Sequence, residues 1–189
     1  MYDITIEGIE EITKSHYLKL KRIHYTQQGM TKTWDIAQVH DSVAILLYHP
    51  RNDSIILVKQ FRPAVWLHNQ DGFTYELCAG LIDKNLPPEQ IAQEEIWEEC
   101  GYDVPLVSIH KITSFYTSVG FARSRQILYY AEVDDTMKRG SGGGIDIEAI
   151  ELVELASQDI DDFMFDETKA KTPGLLFALE WFKKRRVQN

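Results

Sequence analysis

The sequence has few cysteines, no long apolar run and no excess of positive charge, and each shortage removes a class of protein. Cys78 and Cys100 are the two cysteines in 189 residues. That is too few for a disulfide framework, and they lack metal-site spacing, so both read as small buried apolar residues. No stretch approaches the roughly 20 apolar residues of a membrane helix. Met1-Tyr2-Asp3-Ile4-Thr5 has neither the basic start nor the apolar stretch of a secretory leader. A cytoplasmic protein with no membrane association is therefore expected. Lys and Arg number 20 against 29 Asp and Glu, a formal charge of −9, whereas proteins that grip nucleic acid present a basic patch to the phosphates. No nucleic-acid partner is expected. The compact basic cluster Lys183-Lys184-Arg185-Arg186 falls at the end of a predicted helix, where positive charge complements the helix dipole.

What is present is a chain with 44% hydrophobic and 11% aromatic residues, enough for one globular domain with a sizeable core. There is no internal repeat, low-complexity tract or long linker. The first third reads as strands. Residues 16–26 and 31–36 form a hairpin about Gln27-Gln28-Gly29, and the apolar run at 43–48 is a strand buried on both faces. Residues 54–61 form another such strand. A polar loop around 68–72 precedes a short strand at 74–78. Pro87-Pro88 opens a helix that runs to Cys100 and stops at Gly101, a residue suited to ending helices. Strands at 109–116, 125–133 and 148–155 follow, with a glycine-rich loop at 139–144, and an amphipathic helix spans 172–185. Strands interleaved with few helices indicate a mixed sheet covered by helices.

The chemically informative segment is Gln93-Glu94-Glu95-Ile96-Trp97-Glu98-Glu99-Cys100-Gly101. Helical spacing puts Glu95, Glu98 and Glu99 on one face. No Lys or Arg lies between Lys84 and Lys111 to relieve them, and like charges so spaced cost a few tenths of a kcal/mol per pair. A divalent cation would reverse that sign, since carboxylate oxygens are the hard donors that Mg²⁺ takes. A solvated acidic helix face is the competing reading, and the segment by itself leaves both open.

The surrounding residues resemble the Nudix signature: Gly, five residues, Glu, seven residues, then Arg-Glu-U-x-Glu-Glu-x-Gly-U, with U bulky and apolar. Gly80, Glu95, Ile96, Glu98, Glu99, Gly101 and Tyr102 match in register, and Leu86 and Glu94 replace the first Glu and the Arg. In the family those two residues support the loop and helix, so their joint absence puts that support, and not the ligand set, in question. Lys59-Gln60-Phe61-Arg62 and Glu76-Leu77-Cys78-Ala79-Gly80 look like segments of the ADP-ribose and nucleotide-sugar diphosphatases. Cys78, where the ADP-ribose form has Pro, is similar to the uridine diphosphate glucose pyrophosphatase subgroup.

The resemblance implies an α/β Nudix fold, a mixed β-sheet sandwiched between helices, at 41–189. It also implies an antiparallel β subdomain at 1–40 that makes a homodimer, its strands reaching the partner's site. The implied reaction is Mg²⁺-dependent hydrolysis of the pyrophosphate of a nucleoside diphosphate sugar, with Mn²⁺ as the alternative metal. ADP-ribose or another ADP-sugar is the alternative substrate, and a non-catalytic binding module the alternative role. Glu95 and Glu99 are the implied main ligands, with Glu98 shared and the Ala79 carbonyl completing the set. The general base is expected in the loop after the glycines, at Glu148 in preference to Asp146, with Glu98 or Glu99 as further catalytic carboxylates. Arg62 is expected on a substrate phosphate or in a structural ion pair. Arg123 and Arg125 are expected on phosphate or sugar, Glu76 behind the metal or on the sugar, and Trp34 on the base, in the buried core or in a dimer interface. The glycine-rich loop suits a mobile lid.

Overall fold

A computed structural model of the chain describes residues 4–15, 18–144 and 149–187. It begins with a hairpin, β1 (Lys19–Gln27) and β2 (Met30–Gln38), paired antiparallel as its own two-stranded sheet. Gln28 and Gly29 both have positive φ, 54° and 75°, the turn geometry that matches strand twist. Every residue of β1 is exposed.

The larger sheet contains β3 (Ser42–His49), β4 (Ser54–Phe61), β5 (Phe73–Glu76), β6 (Cys78–Leu81), β7 (His110–Thr117), β8 (Ser124–Glu132), β9 (Ile150–Ala156) and β10 (Ala170–Lys171). Its path is β10-β5-β4-β3-β8-β7, with β6 also on β3 and β9 also on β4. The β3–β8 and β10–β5 pairs are parallel and the others antiparallel, so the sheet is mixed, as expected. Val43 to Leu47 are wholly buried, because helices cover both faces. On one side α2 (Pro88–Cys100) packs Ile91, Ala92, Ile96 and Cys100 onto Val43, Ile45, Val58 and Ile127. On the other, α3 (Ile160–Phe165) and α4 (Pro173–Val187) pack Phe163, Leu175, Leu179 and Phe182 onto Leu46, Leu57 and Leu128.

Three local expectations need correction. The predicted strand 74–78 is two strands: Leu77 interrupts it, β5 bonds to β4, and β6 crosses to β3. Since β3 and β4 pair only at Leu47–His49 with Ile56–Ser54, the sheet splits at its other end and β6 lines the gap. The loop expected around 68–72 starts later, for the short helix α1 (Pro63–Asn69) takes in residues 68 and 69. The helix α3 and strand β10 were not foreseen.

The basic cluster is used structurally. Lys183 pairs with Asp161, Lys184 with Glu180 and Arg186 with Asp53, and Arg185 lies over the rings of Tyr130 and Trp181. Cys78 and Cys100 are free and buried. Burial pushes the Cys78 thiol up, helped by neighbouring Cys100, which suits inert packing. Among the described residues no helix is long and apolar enough to cross a membrane.

Candidate active site

The last two turns of α2 carry Glu95, Glu98 and Glu99, and burial of Ile96 and Cys100 fixes the helix's rotation so that this face meets β6. Two contacts set the register. The Ala79 N–H donates to Glu99 Oε2 at 2.9 Å, holding a carboxylate that is only 5% exposed. The Glu95 carboxyl lies against Gly80, where an added Cβ would fall 1.9 Å from Oε1. Glycine stands there because a side chain would occupy the carboxylate's seat.

An extended residue directs its N–H and C=O to the same edge of its strand. The Ala79 carbonyl therefore shares the edge of the amide that Glu99 holds, across from the acidic face. This oxygen-only donor set fits a hard divalent cation. Among the described residues no three His, Cys, Asp or Glu side chains already converge at metal-binding distances.

The support missing from the sequence pattern is rebuilt with reversed polarity. Lys84 Nζ meets Glu94 Oε2 at 2.7 Å, tying the loop before α2 to the helix as a Glu and an Arg do in the signature. Lys84 is thus a local counter-charge, contrary to the expectation that the glutamates have none. Its pKa is raised by the bond to Glu94 and further by the charges of Glu98 and Glu95. Leu86, exposed, takes no part in that pair.

Beyond Gly101, which ends α2 in the left-handed conformation at φ 69°, the glycine-rich segment folds back over the helix terminus. Gly143 N–H donates to the Glu99 carbonyl at 2.8 Å and Gly144 N–H to the Glu98 carbonyl at 3.1 Å. Lys138 Nζ reaches the Cys100 carbonyl at 2.6 Å. These bonds satisfy carbonyls that a helix end leaves without partners. Gly140 to Gly144 are therefore docked on the end of α2. Ile150 N–H returns to the Gly143 carbonyl at 3.3 Å. Asp146 and Glu148 lie outside the described residues.

Arg62, between β4 and α1, meets Glu76 at the end of β5. The guanidinium binds the carboxylate through two bonds of 2.7 and 2.8 Å, and Thr74 Oγ1 adds a third contact at 2.5 Å. Glu76 is 8% exposed, while 47% of the Arg62 side chain is exposed. The ion-pair reading of Arg62 thus holds, and the pair aims the exposed part of the fork outward.

The other residues singled out from the sequence stand elsewhere. Trp34 lies on the hairpin, 52% exposed, its Nε1 donating to the Gly120 carbonyl at 2.8 Å. Ala37 N–H donates to the Phe121 carbonyl at 2.7 Å, so the hairpin docks on the β7–β8 loop. Arg123 lines a small cleft with His40, Asp41 and Ile82. Arg125 is anchored by its N–H to Asp41 Oδ1 at 2.9 Å, and its Nε is buried without a hydrogen-bond partner. A separate cavity of about 350 Å³ borders the site through Glu76 and Ala79.

The NUDIX domain model matches residues 38–172, a span that contains the acidic helix, β6 and the Arg62–Glu76 pair. The chain belongs to the Nudix family. It is 37% identical to the uridine diphosphate glucose pyrophosphatase of Bos taurus, with 94% of each chain covered. It is 36% identical to that of Mus musculus, with 89% of each covered. The GDP-mannose pyrophosphatase of Cronobacter sakazakii is 36% identical over 77% of this chain and 78% of its own. The curated relatives are pyrophosphatases, and this Nudix chain retains all three glutamates of its helix, so it is an enzyme of that hydrolase family. Sequence reasoning missed Lys84 and Lys138 as supports. Lys84 sits two residues from the position where the signature has its Glu, and the fold alone brings Lys138 to the helix end.

Proposed function

We propose that the chain hydrolyses the pyrophosphate of a nucleoside diphosphate hexose, with UDP-glucose as the leading substrate and Mg²⁺ as the resident ion. The single observation behind this is the Glu95–Glu98–Glu99 face set across the Ala79 edge, with Gly80 cleared for a carboxylate. The names of the relatives join a nucleoside diphosphate to a hexose, glucose in one case and mannose in the other. When bound, Mg²⁺ or Mn²⁺ polarises phosphoryl oxygens and lowers the pKa of a coordinated water.

The protein's share is positioning and charge. Glu95, Glu98, Glu99 and the Ala79 carbonyl hold the cation. Arg62, oriented by Glu76, binds a phosphate oxygen. We assign the general base to Glu148, two residues before Ile150, whose amide is bonded beside the end of α2, with Glu98 as the alternative. Water attack on one phosphorus then releases a nucleoside monophosphate and a sugar 1-phosphate. Arg123 and Arg125 would serve the outer parts of the substrate. The hairpin's exposed Ile23, Trp34 and Met30 suit burial against a second copy, which would let Trp34 stack on that copy's substrate. Two reduced buried cysteines fit a cytoplasmic setting.

Parallel kinetics with Mg²⁺ on UDP-glucose, GDP-mannose and ADP-ribose test the reading. The highest kcat/KM is expected on UDP-glucose, and a strong preference for ADP-ribose would replace it. Light scattering at working concentration tests the dimer, and a clean monomer removes that part.

A further inference from the structure

Resting on the nucleoside diphosphate hexose reading, the geometry points to the 350 Å³ cavity between the end of β7, the start of β8 and the first turn of α4 as the seat of the substrate's hexosyl ring. This cavity shares Glu76 and Ala79 with the site, so a group held in it lies next to the pyrophosphate. Its volume is at the low end for ligand pockets, suited to a single ring.

The lining decides which ring. It contains no Lys, Arg or His, and Glu76 is its one charged residue, which makes it unsuitable for a phosphate. Thr117, Ser118, Thr172 and Gln126 contribute hydroxyl and amide groups. Each of these both donates and accepts, as do the hydroxyls of a sugar. A nucleobase needs an open aromatic face to stack on. Phe115 packs its ring on Phe177 at 5.9 Å, and Tyr116, also in the lining, is 71% exposed and open to solvent.

The polar groups are also braced. Thr117 Oγ1 lies 2.5 Å from Ser124 Oγ, and Gln126 Nε2 donates to Ser42 Oγ at 3.3 Å. Gly174 leaves room for Gln126, since a Cβ there would fall 2.5 Å from its Oε1. Ser118, at the rim, holds a positive φ of 50°, a conformation that sites retain when the surroundings impose it. Its carbonyl accepts the N–H groups of Phe121 and Ala122, so the rim belongs to the loop on which the hairpin docks.

The test compares UDP-glucose with the methyl ester of UDP, which keeps the base and the pyrophosphate but lacks the ring, using the full chain with Mg²⁺. Thr117→Val and Gln126→Leu are each expected to lower kcat/KM on UDP-glucose about 10-fold or more, because each leaves a sugar hydroxyl unpaired. On the methyl ester each should change it by less than about 2-fold. Equal losses on both substrates, or no loss on either, overturn the assignment. On the unsubstituted protein, glucose 1-phosphate and not UMP should shift the Thr117 and Thr172 methyl resonances, and the reverse pattern also overturns it. A wild-type chain that cleaves no nucleotide sugar would instead remove the functional reading, and this assignment with it.

Discussion

Gly80→Ala is expected to separate activity from stability. The added Cβ would sit 1.9 Å from Glu95 Oε1 and 2.0 Å from Cδ. Ordinary contact begins near 3.4 Å, so the carboxyl must retreat by about 1.5 Å. That retreat is easy for the fold, because the clash involves the far end of a flexible side chain and not backbone. Gly80 lies in β6 with no positive φ, so alanine fits the backbone. At such sites Gly→Ala stabilises by about 0.4–1 kcal/mol through the unfolded chain. The site has no such freedom, since a displacement of about 1 Å can cost on the order of 10²-fold in rate. The expected outcome is a melting temperature unchanged or slightly raised, kcat/KM down about 10²-fold, and a higher Mg²⁺ concentration for half-maximal activity. Calorimetry and initial rates across a Mg²⁺ titration measure both. Full activity in Gly80→Ala would refute the placement of Glu95 as a ligand, and a protein that unfolds would refute the steric account.

Three further outcomes follow from the same contacts. Glu99→Gln keeps the acceptor that the Ala79 amide needs but removes a charge, and turnover should fall by about 10²-fold or more with the melting temperature little changed; unchanged turnover removes its role. Lys84→Glu and Glu94→Lys should each weaken the protein by under about 1 kcal/mol, because the pair is partly exposed. The double reversal should restore the loss, and additive losses in denaturant titrations would show that the pair does not couple. At Asp53 burial pushes the carboxyl up, yet bonds from Tyr48 and Arg186 more than offset it and leave the pKa below its ordinary value. A depressed carboxylate stabilises above its unfolded pKa, and that contribution is lost as pH falls through the folded one. Asp53→Asn, which tolerates the positive φ of 48°, should therefore reduce stability near pH 7 and flatten its decline below about pH 4. An unaltered acid limb in pH-dependent melts would contradict this.

The sequence by itself determined the elements with strong local signals. The apolar run of β3 is typical of a strand buried on both faces, and Pro88 and Gly101 bounded α2 because ring and glycine conformations act within one turn. The spacing of Glu95, Glu98 and Glu99 put them on one face whatever the helix packs against. Tertiary structure decided which neighbours that face meets. It split 73–81 into β5 and β6, because β3 and β4 diverge and no local signal reports a partner's divergence. It brought Lys84 to Glu94, recovering a support that the signature positions Leu86 and Glu94 had lost, since ion pairs across a loop depend on its path and not its composition. It docked the glycine-rich segment on the end of α2, because the helix's last carbonyls required donors that a folded-back backbone could supply. It placed Arg62 against Glu76, fourteen residues away in sequence, and set Thr117, Gln126 and Thr172 around one cavity. Residues so far apart in sequence become a site only when the sheet and α4 close on each other.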